Sequence, residues 1–484
     1  MTSDDAMSVS IAVWMLMRLC VCLAVTVAAT VGLTMFAQSP APDWSSADVE
    51  TLQHFQALVR MDTSDPPGNE LPAASYLEKV LRDAGIPVET FALEPNRPNI
   101  VARLKGNGRR RPVLIMGHTD VVNVDPSKWM HPPFSAARDG GHIYGRGTLD
   151  DKDSVTAGLM TMLLLKRLNV PLDRDVIFLA EAGEEGSTRV GIQFLVNQHF
   201  DAIDAEYCLA ETGGVERKDG RVRYATVQTT EKVPRAIELT AKGTSGHGSV
   251  PTASNAIDQL ARALTAVGAW RPPVRLNETT RMYFTRLAQM SSGTEAQRYR
   301  DVLDPKKAAG VDEYFRANDP TNAARLHATA SSTMLSGGYR VNVIPGEAKA
   351  TLDVRIMPDD DIDDVLGSIR KAVNNPAVSV EWAPRSTRPP GSSRLDSDAF
   401  RTIEAAVTRH YETKTLPIMS TGATDMAFLR AKGVQCYGIG PAIDVEDALK
   451  GFGSHSDQER IIERELYRFV HFTWDVVTSL ASAR

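Results

Sequence analysis

From Ser45 to about Gln228, short apolar runs alternate with longer runs of helical period. Continuous apolar stretches bounded by turn residues read as strands, and apolar residues three and four apart read as one face of a helix. Strands are predicted over residues 99–104, 112–117, 175–181, 206–210 and 222–228, and helices over 49–60, 73–84, 154–168 and 190–198. Apolar side chains are so dense in 154–168 that this helix is expected to be deeply buried. Strands alternating with helices imply an α/β sheet with helices on both faces.

The pattern changes near Glu231. A strand over 236–241 and a helix over 253–267 lead into a stretch, Arg271 to about Ser331, without readable periodicity. Strands over 339–343 and 348–356, a helix over 361–373 and a strand over 377–382 follow, which suggests a small α+β domain. Residues 383–394 (APRSTRPPGSSR) have the composition of a linker. Helix, strand and helix then resume over 397–411, 434–439 and 459–480. The simplest organisation is one α/β domain (45–232 and 385–484) interrupted by an inserted domain (233–384), behind a leader (1–40).

In that leader, Leu19 to Ala37 carries no charge. The run is long enough to span a bilayer and also suits the core of a signal peptide. Starting at Met15 or Met17 gives the basic-then-apolar order of an export signal, so an exported protein is expected, with cleaved signal and retained anchor both open. The net charge of -6 over 484 residues, with no concentrated basic block, argues against a nucleic-acid partner. Beyond the leader only Cys208 and Cys436 remain, too few for a disulfide framework or a thiolate zinc site. Both lie in apolar runs and read as buried free thiols, with a single bridge between them as the alternative.

The candidate chemistry sits just past predicted strands. His118 follows PVLIM in GHTD. Ligands of open α/β sheets bind beyond the carboxyl ends of strands. A histidine there can bind a metal while Asp120 orients its ring, or it can cap a turn. Asp150 and Asp151 in GRGTLDDK open the buried helix, where carboxylates also serve as caps. Glu184 and Glu185 in EAGEEG follow DVIFLA. Adjacent acids repel each other unless cations are present, and one can bind metal while the other faces an attacking water. Glu211 precedes TGG, and His455 lies late in GSHSD. Imidazole nitrogen and carboxylate oxygen are donors that zinc prefers. His54, His131, His142, His199, His327, His410 and His471 have no paired acids at ligand spacing and read as structural or surface residues.

In this order GHTDVV, GRGTLDDK, GEEG, AETGG, GHGSVP, NVIPGEA, DVRIMP and GSHSD resemble the motifs of the M20 metallopeptidase family, from about Ser45 to the C-terminus. The wording of GRGTLDDK and the long stretch before NVIP are most similar to the carboxypeptidase S and N-acyl-amino-acid hydrolase branch. The resemblance implies a zinc-exopeptidase-like catalytic domain, with a mixed sheet flanked by helices, interrupted by a smaller α+β lid and dimerisation domain. It implies two zinc ions, with cobalt or manganese as alternatives. His118 and Glu211 would complete one site, Glu185 and His455 the other, and Asp150 would bridge them. Asp120 would orient His118, and Glu184 would be the general acid/base. His247 would reach across a homodimer, while Asn342 and Arg355 would hold a substrate carboxylate. The implied reaction cleaves an amide bond adjacent to a free carboxylate in small peptides or N-acyl amino acids. Two other readings compete: a non-catalytic binding protein on the same fold, and a serine hydrolase. The latter rests on Gly243 to His247, which resembles a nucleophile elbow but lacks the last glycine of G-x-S-x-G.

Overall fold

The computed structural model describes residues 41–384 and 387–483. The uncharged leader run lies outside them. Among the described residues no helix is long and apolar enough to cross a membrane.

Strands Val113–His118 and Val176–Glu181 are buried at every position. Strands covered on both faces carry no polar alternation, as parallel sheets flanked by helices require. The two run parallel with His118 opposite Glu181, and Val113–His118 also runs parallel to Tyr207–Ala210. A ten-stranded mixed sheet grows around this centre. Its order is Val88–Ala92, Pro98–Leu104, Val176–Glu181, Val113–His118, Tyr207–Ala210, Gln435–Gly438, Arg221–Glu231, Gly214–Lys218 and Ala442–Asp444, with Thr415–Ser420 also paired to Arg221–Glu231. Cys208 and Cys436 face each other in register as buried free thiols. The helix Lys152–Arg167 is buried from Lys152 to Leu165 and packs on the central strand and on the C-terminal helix Glu463–Ala481.

A second sheet orders Thr329–Gly337, Glu347–Ile356, Val233–Lys242 and Val378–Trp382, all antiparallel. Helices Ala256–Gly268 and Ile362–Val373 pack with it into a separate apolar core that includes Ile237, Leu260, Leu352 and Ile369. The stretch without periodicity folds into helices Glu278–Met290, Gly293–Asp301, Ala308–Asn318 and Pro320–Ala324. Their core, with Phe284 and Phe315, includes Leu416 and Ile418 of the large sheet, so they extend that sheet's packing. The strand expected over 339–343 is absent: Tyr339 to Asn342 form bends and turns, and the strand lies earlier, at Thr329–Gly337. The α/β class, with a mixed sheet flanked by helices, agrees with the expectation.

Candidate active site

Three parallel strands end side by side, and the chain beyond them carries Asp120, Glu184, Glu185 and Glu211. Gly117 allows the helix 152–167 to begin close by: a side chain at 117 would meet Asp151 Oδ2 at 2.9 Å and the Val155 backbone nitrogen at 3.0 Å. Asp151 does not cap that helix with its side chain. Its Oδ2 instead accepts a hydrogen bond from the His118 backbone N–H at 3.2 Å.

Asp150 lies between two imidazoles drawn from distant parts of the chain. Its Oδ1 is 3.0 Å from His118 Nε2 and its Oδ2 is 3.1 Å from His455 Nε2. His455 Nε2 is also 2.8 Å from Glu185 Oε1. Donor atoms of His118, Asp150 and Glu185 lie within 4.8 Å of one another, as do those of His118, Glu184 and Glu211. His118 Nδ1 faces the Asp120 carbonyl oxygen at 3.0 Å, while the Asp120 carboxylate stands 3.6 Å from the ring. That carboxylate accepts backbone N–H groups of Gly183, Glu184 and Glu185 at 2.8, 3.2 and 2.9 Å. Asp120 therefore fixes the ring through its backbone and the acidic turn through its side chain.

Charge is crowded here. Burial pushes Glu184 and Glu211 well above the usual carboxylate range, with Arg388 opposing the rise at Glu184. Burial also raises Asp151 to about 7. Desolvation disfavours a charged His118, yet Asp120 and Asp150 hold its pKa well above the ordinary value. Hydrogen bonds to Asp150 and Glu185 lift His455 to about 10. Without a cation, this cluster recruits protons to offset its own negative charge. Two imidazoles and three carboxylates, one of them presenting an oxygen to each imidazole, form a donor set that fits a pair of divalent cations.

Arg388, from the segment whose composition reads as a linker, was not signalled by periodicity. Its Nη2 lies 2.5 Å from Glu184 Oε1 and 3.1 Å from Asp425 Oδ1. Behind the acidic turn, Arg97 joins Asp65 and Glu70 at 2.5 Å each, all buried. A side chain at Gly186 would fall 2.2 Å from Asp65 Oδ2. Asp65, Glu70 and Asp120 also cluster within 4.8 Å, but Arg97 already supplies their cation, so this group supports the turn.

Arg355 lines an open cleft of about 720 Å³ together with Glu184, Glu185, Arg235 and Arg388. Asp353 engages it at 2.6 and 3.1 Å. His247 and Asn342 do not line that cleft. Both are exposed near the short ladder of Gly246–His247 with Val343–Ile344. His247 Nδ1 bonds Ser249 Oγ at 2.7 Å, so the ring's hydrogen bond goes to Ser249 and not to Ser245, the serine of the elbow-like sequence. Among the other histidines, His327, His410 and His471 each meet one acid, Asp312, Asp475 and Asp48, at 2.9, 3.0 and 2.7 Å. These are single imidazole–carboxylate contacts between residues far apart in the sequence.

A carboxypeptidase S-like protein of Dictyostelium discoideum is 28% identical over 316 residues, which is 62% of this chain and 59% of the relative. The chain thus spans about three fifths of that relative's length. The human N-fatty-acyl-amino acid synthase/hydrolase PM20D1 is 27% identical over 377 residues, 76% of this chain and 74% of the relative. An M20 family metallo-carboxypeptidase from Sulfolobus solfataricus superposes with a TM-score of 0.67 at 20% identity, covering 88% of this chain and 98% of the other. A family profile described as Peptidase family M20/M25/M40 matches residues 114–478. Ordered motifs, converging donors and these likenesses agree: the chain belongs to peptidase family M20/M25/M40 and is a hydrolase of amide bonds.

Proposed function

We propose that the protein cleaves an amide bond adjacent to a free carboxylate, in N-acyl amino acids or small peptides, with two divalent cations at the cluster. Zinc is the first choice by donor type, with cobalt or manganese as alternatives. The observation that carries this reading is Asp150, whose two oxygens face His118 and His455 at 3.0 and 3.1 Å. His118 and Glu211 would hold one cation, Glu185 and His455 the other, and Asp150 both. Bound there, such cations polarise a carbonyl and lower the pKa of water.

The chain's own groups do the rest. Glu184, beside His118 and Glu211, takes the proton of the attacking water and passes it to the leaving amine nitrogen. Arg388 holds Glu184, and Arg235 and Arg355 line the same cleft beside Glu185 and Asp353. Such guanidinium groups can grip a carboxylate through paired hydrogen bonds. Asn342 and His247, exposed on the smaller sheet's side, would serve the cleft of a second copy in a lid-to-lid homodimer. Support comes from the exposed edge strand Thr329–Gly337, where Met334 and Leu335 are 68% and 70% accessible. Export by the leader completes the proposal.

The test is a panel of N-acyl amino acids and dipeptides with the metal-loaded enzyme, each substrate paired with its C-terminal carboxamide. Turnover of the acids should fall at least tenfold on amidation. Equal turnover of acid and amide would refute the carboxylate requirement.

A further inference from the structure

Arg388 sits on a segment without regular structure that leads from strand Val378–Trp382 back to the large sheet. A side chain carried on such a segment is aimed less exactly than one on a strand or helix, unless a further layer of contacts locks it. Its Nη2 nevertheless meets Glu184 twice, at Oε1 (2.5 Å) and at the backbone carbonyl oxygen (3.3 Å). The other acid it meets is Asp425, whose Oδ1 accepts from Nη2 at 3.1 Å and from Nε at 3.4 Å. Asp425 precedes the helix Met426–Ala431, yet its side chain does not cap it. It is 1% exposed, and its Oδ2 has no hydrogen-bond partner among the described residues. Buried carboxylates are normally hydrogen-bonded, so one left half-satisfied points to a role other than stability. The turn before it is pinned to the large sheet. Glu231, the last residue of strand Arg221–Glu231, accepts the Thr424 N–H at 2.9 Å, the Thr424 hydroxyl at 2.7 Å and Arg430 Nη1 at 2.9 Å.

We propose that Asp425 is a positioning residue of the hydrolysis, which holds the Arg388 guanidinium so that Glu184 faces the attacking water. The inference rests on the reading of Glu184 as the base and adds the residue that aims it. Glu231, Thr424, Asp425, Arg388 and Glu184 form a continuous line from the frame of the sheet to the base. Two carboxylates share one guanidinium along it. Alone with Glu184, Arg388 could turn its fork onto both carboxylate oxygens as a bidentate pair, leaving the base fully engaged. With Nε turned to Asp425, only Nη2 reaches the Glu184 carboxylate, and at one oxygen. Arg388 thereby serves the base and not the substrate.

The test uses metal-loaded enzyme and the N-acyl amino acid of the panel above that is cleaved fastest. Asp425→Asn keeps the shape and removes the charge. Its kcat should fall about 10- to 100-fold, while KM and metal content stay near wild type and the urea midpoint does not fall. A merely structural ion pair would lower the midpoint and leave kcat in place, and a role in substrate binding would raise KM with kcat kept. Either result would overturn the proposal. Arg388→Gln should lose about as much turnover as Asp425→Asn. Combining the two should cost no more than about threefold beyond Arg388→Gln alone, because coupled residues do not add; losses that multiply would place the action of Asp425 elsewhere. The tether can also be read without turnover. In protein carrying isotopically labelled arginine, the Arg388 Nε–H signal, assigned by its loss in Arg388→Gln, should exchange slowly with water in the wild type and rapidly in Asp425→Asn. Equal exchange would overturn the proposal. Near-normal turnover of Glu184→Gln, beside rapid exchange in Asp425→Asn, would refute Glu184 as the base while upholding the tether.

Discussion

At the scale of single residues, the proposed chemistry turns on Glu184. Arg388 lies 2.5 Å from its Oε1, and burial favours its protonated form. In the proposed reaction a carboxylate so placed accepts the proton of the attacking water and returns it to the leaving nitrogen. Glu184→Gln preserves shape and removes the base, so kcat should fall by about 10²- to 10⁴-fold while metal content measured by mass spectrometry stays the same. Near-normal turnover would assign the base elsewhere. The acids and histidines of the cluster were legible because each is a titratable side chain just past an apolar run or beside glycines. Arg388 was not, since it is joined to Glu184 across 204 residues from a segment rich in proline and serine. Nor was the double use of Asp120: the sequence suggests a carboxylate that orients His118, whereas the carboxylate secures three backbone N–H groups of the acidic turn.

At the scale of elements, the helix Lys152–Arg167 presents Asp150 and Asp151 at its start because it can press directly on the sheet. Gly158 makes that approach possible: a Cβ there would stand 2.5 Å from the Phe178 ring. Glycine inside a helix costs about 1 kcal/mol relative to alanine, so its presence is explained by packing. Gly158→Val should destabilise the protein by about 1–3 kcal/mol through overpacking, read as a lower urea midpoint. An unchanged midpoint would show that the helix and sheet can separate freely. The central strands were legible since continuous apolar runs leave little alternative. Thr415–Ser420 was missed because Pro417 interrupts it. As a strand paired to Arg221–Glu231, with helix Glu278–Met290 packed against it, it can accommodate that proline. Thr329–Gly337 was missed because its mostly Ser and Thr sequence shows no apolar alternation, Met334 and Leu335 being adjacent and exposed, while nearby Tyr339 and Val341 imitate a strand from exposed bend and turn positions.

At the scale of the whole molecule, the fold gathers acids that must share protons or cations. Asp151 and Glu459 are each raised to about 7 by burial, and Glu184 and Glu211 are raised as well. In metal-free protein these groups keep protons that the unfolded chain releases first. The folded state therefore binds more protons, and stability falls as pH rises from about 4 to about 7. His455, raised to about 10, extends the loss above its ordinary value of 6.5. Asp120 is lowered and so costs stability only in acid, outside that window. Chelated protein should accordingly have a lower urea midpoint at about pH 8 than at about pH 5.5, and metal should shrink the gap because its ligands bind deprotonated. A higher midpoint at the alkaline pH without metal would contradict this account of the acids. The most direct test of the shared-carboxylate centre is the metal content of dialysed protein before and after Asp150→Ala. The account predicts two transition-metal ions per chain in the wild type, at most one in the variant, and loss of hydrolysis with the missing ion. Two ions retained in an active Asp150→Ala protein, or full activity from wild type stripped of metal, would contradict it.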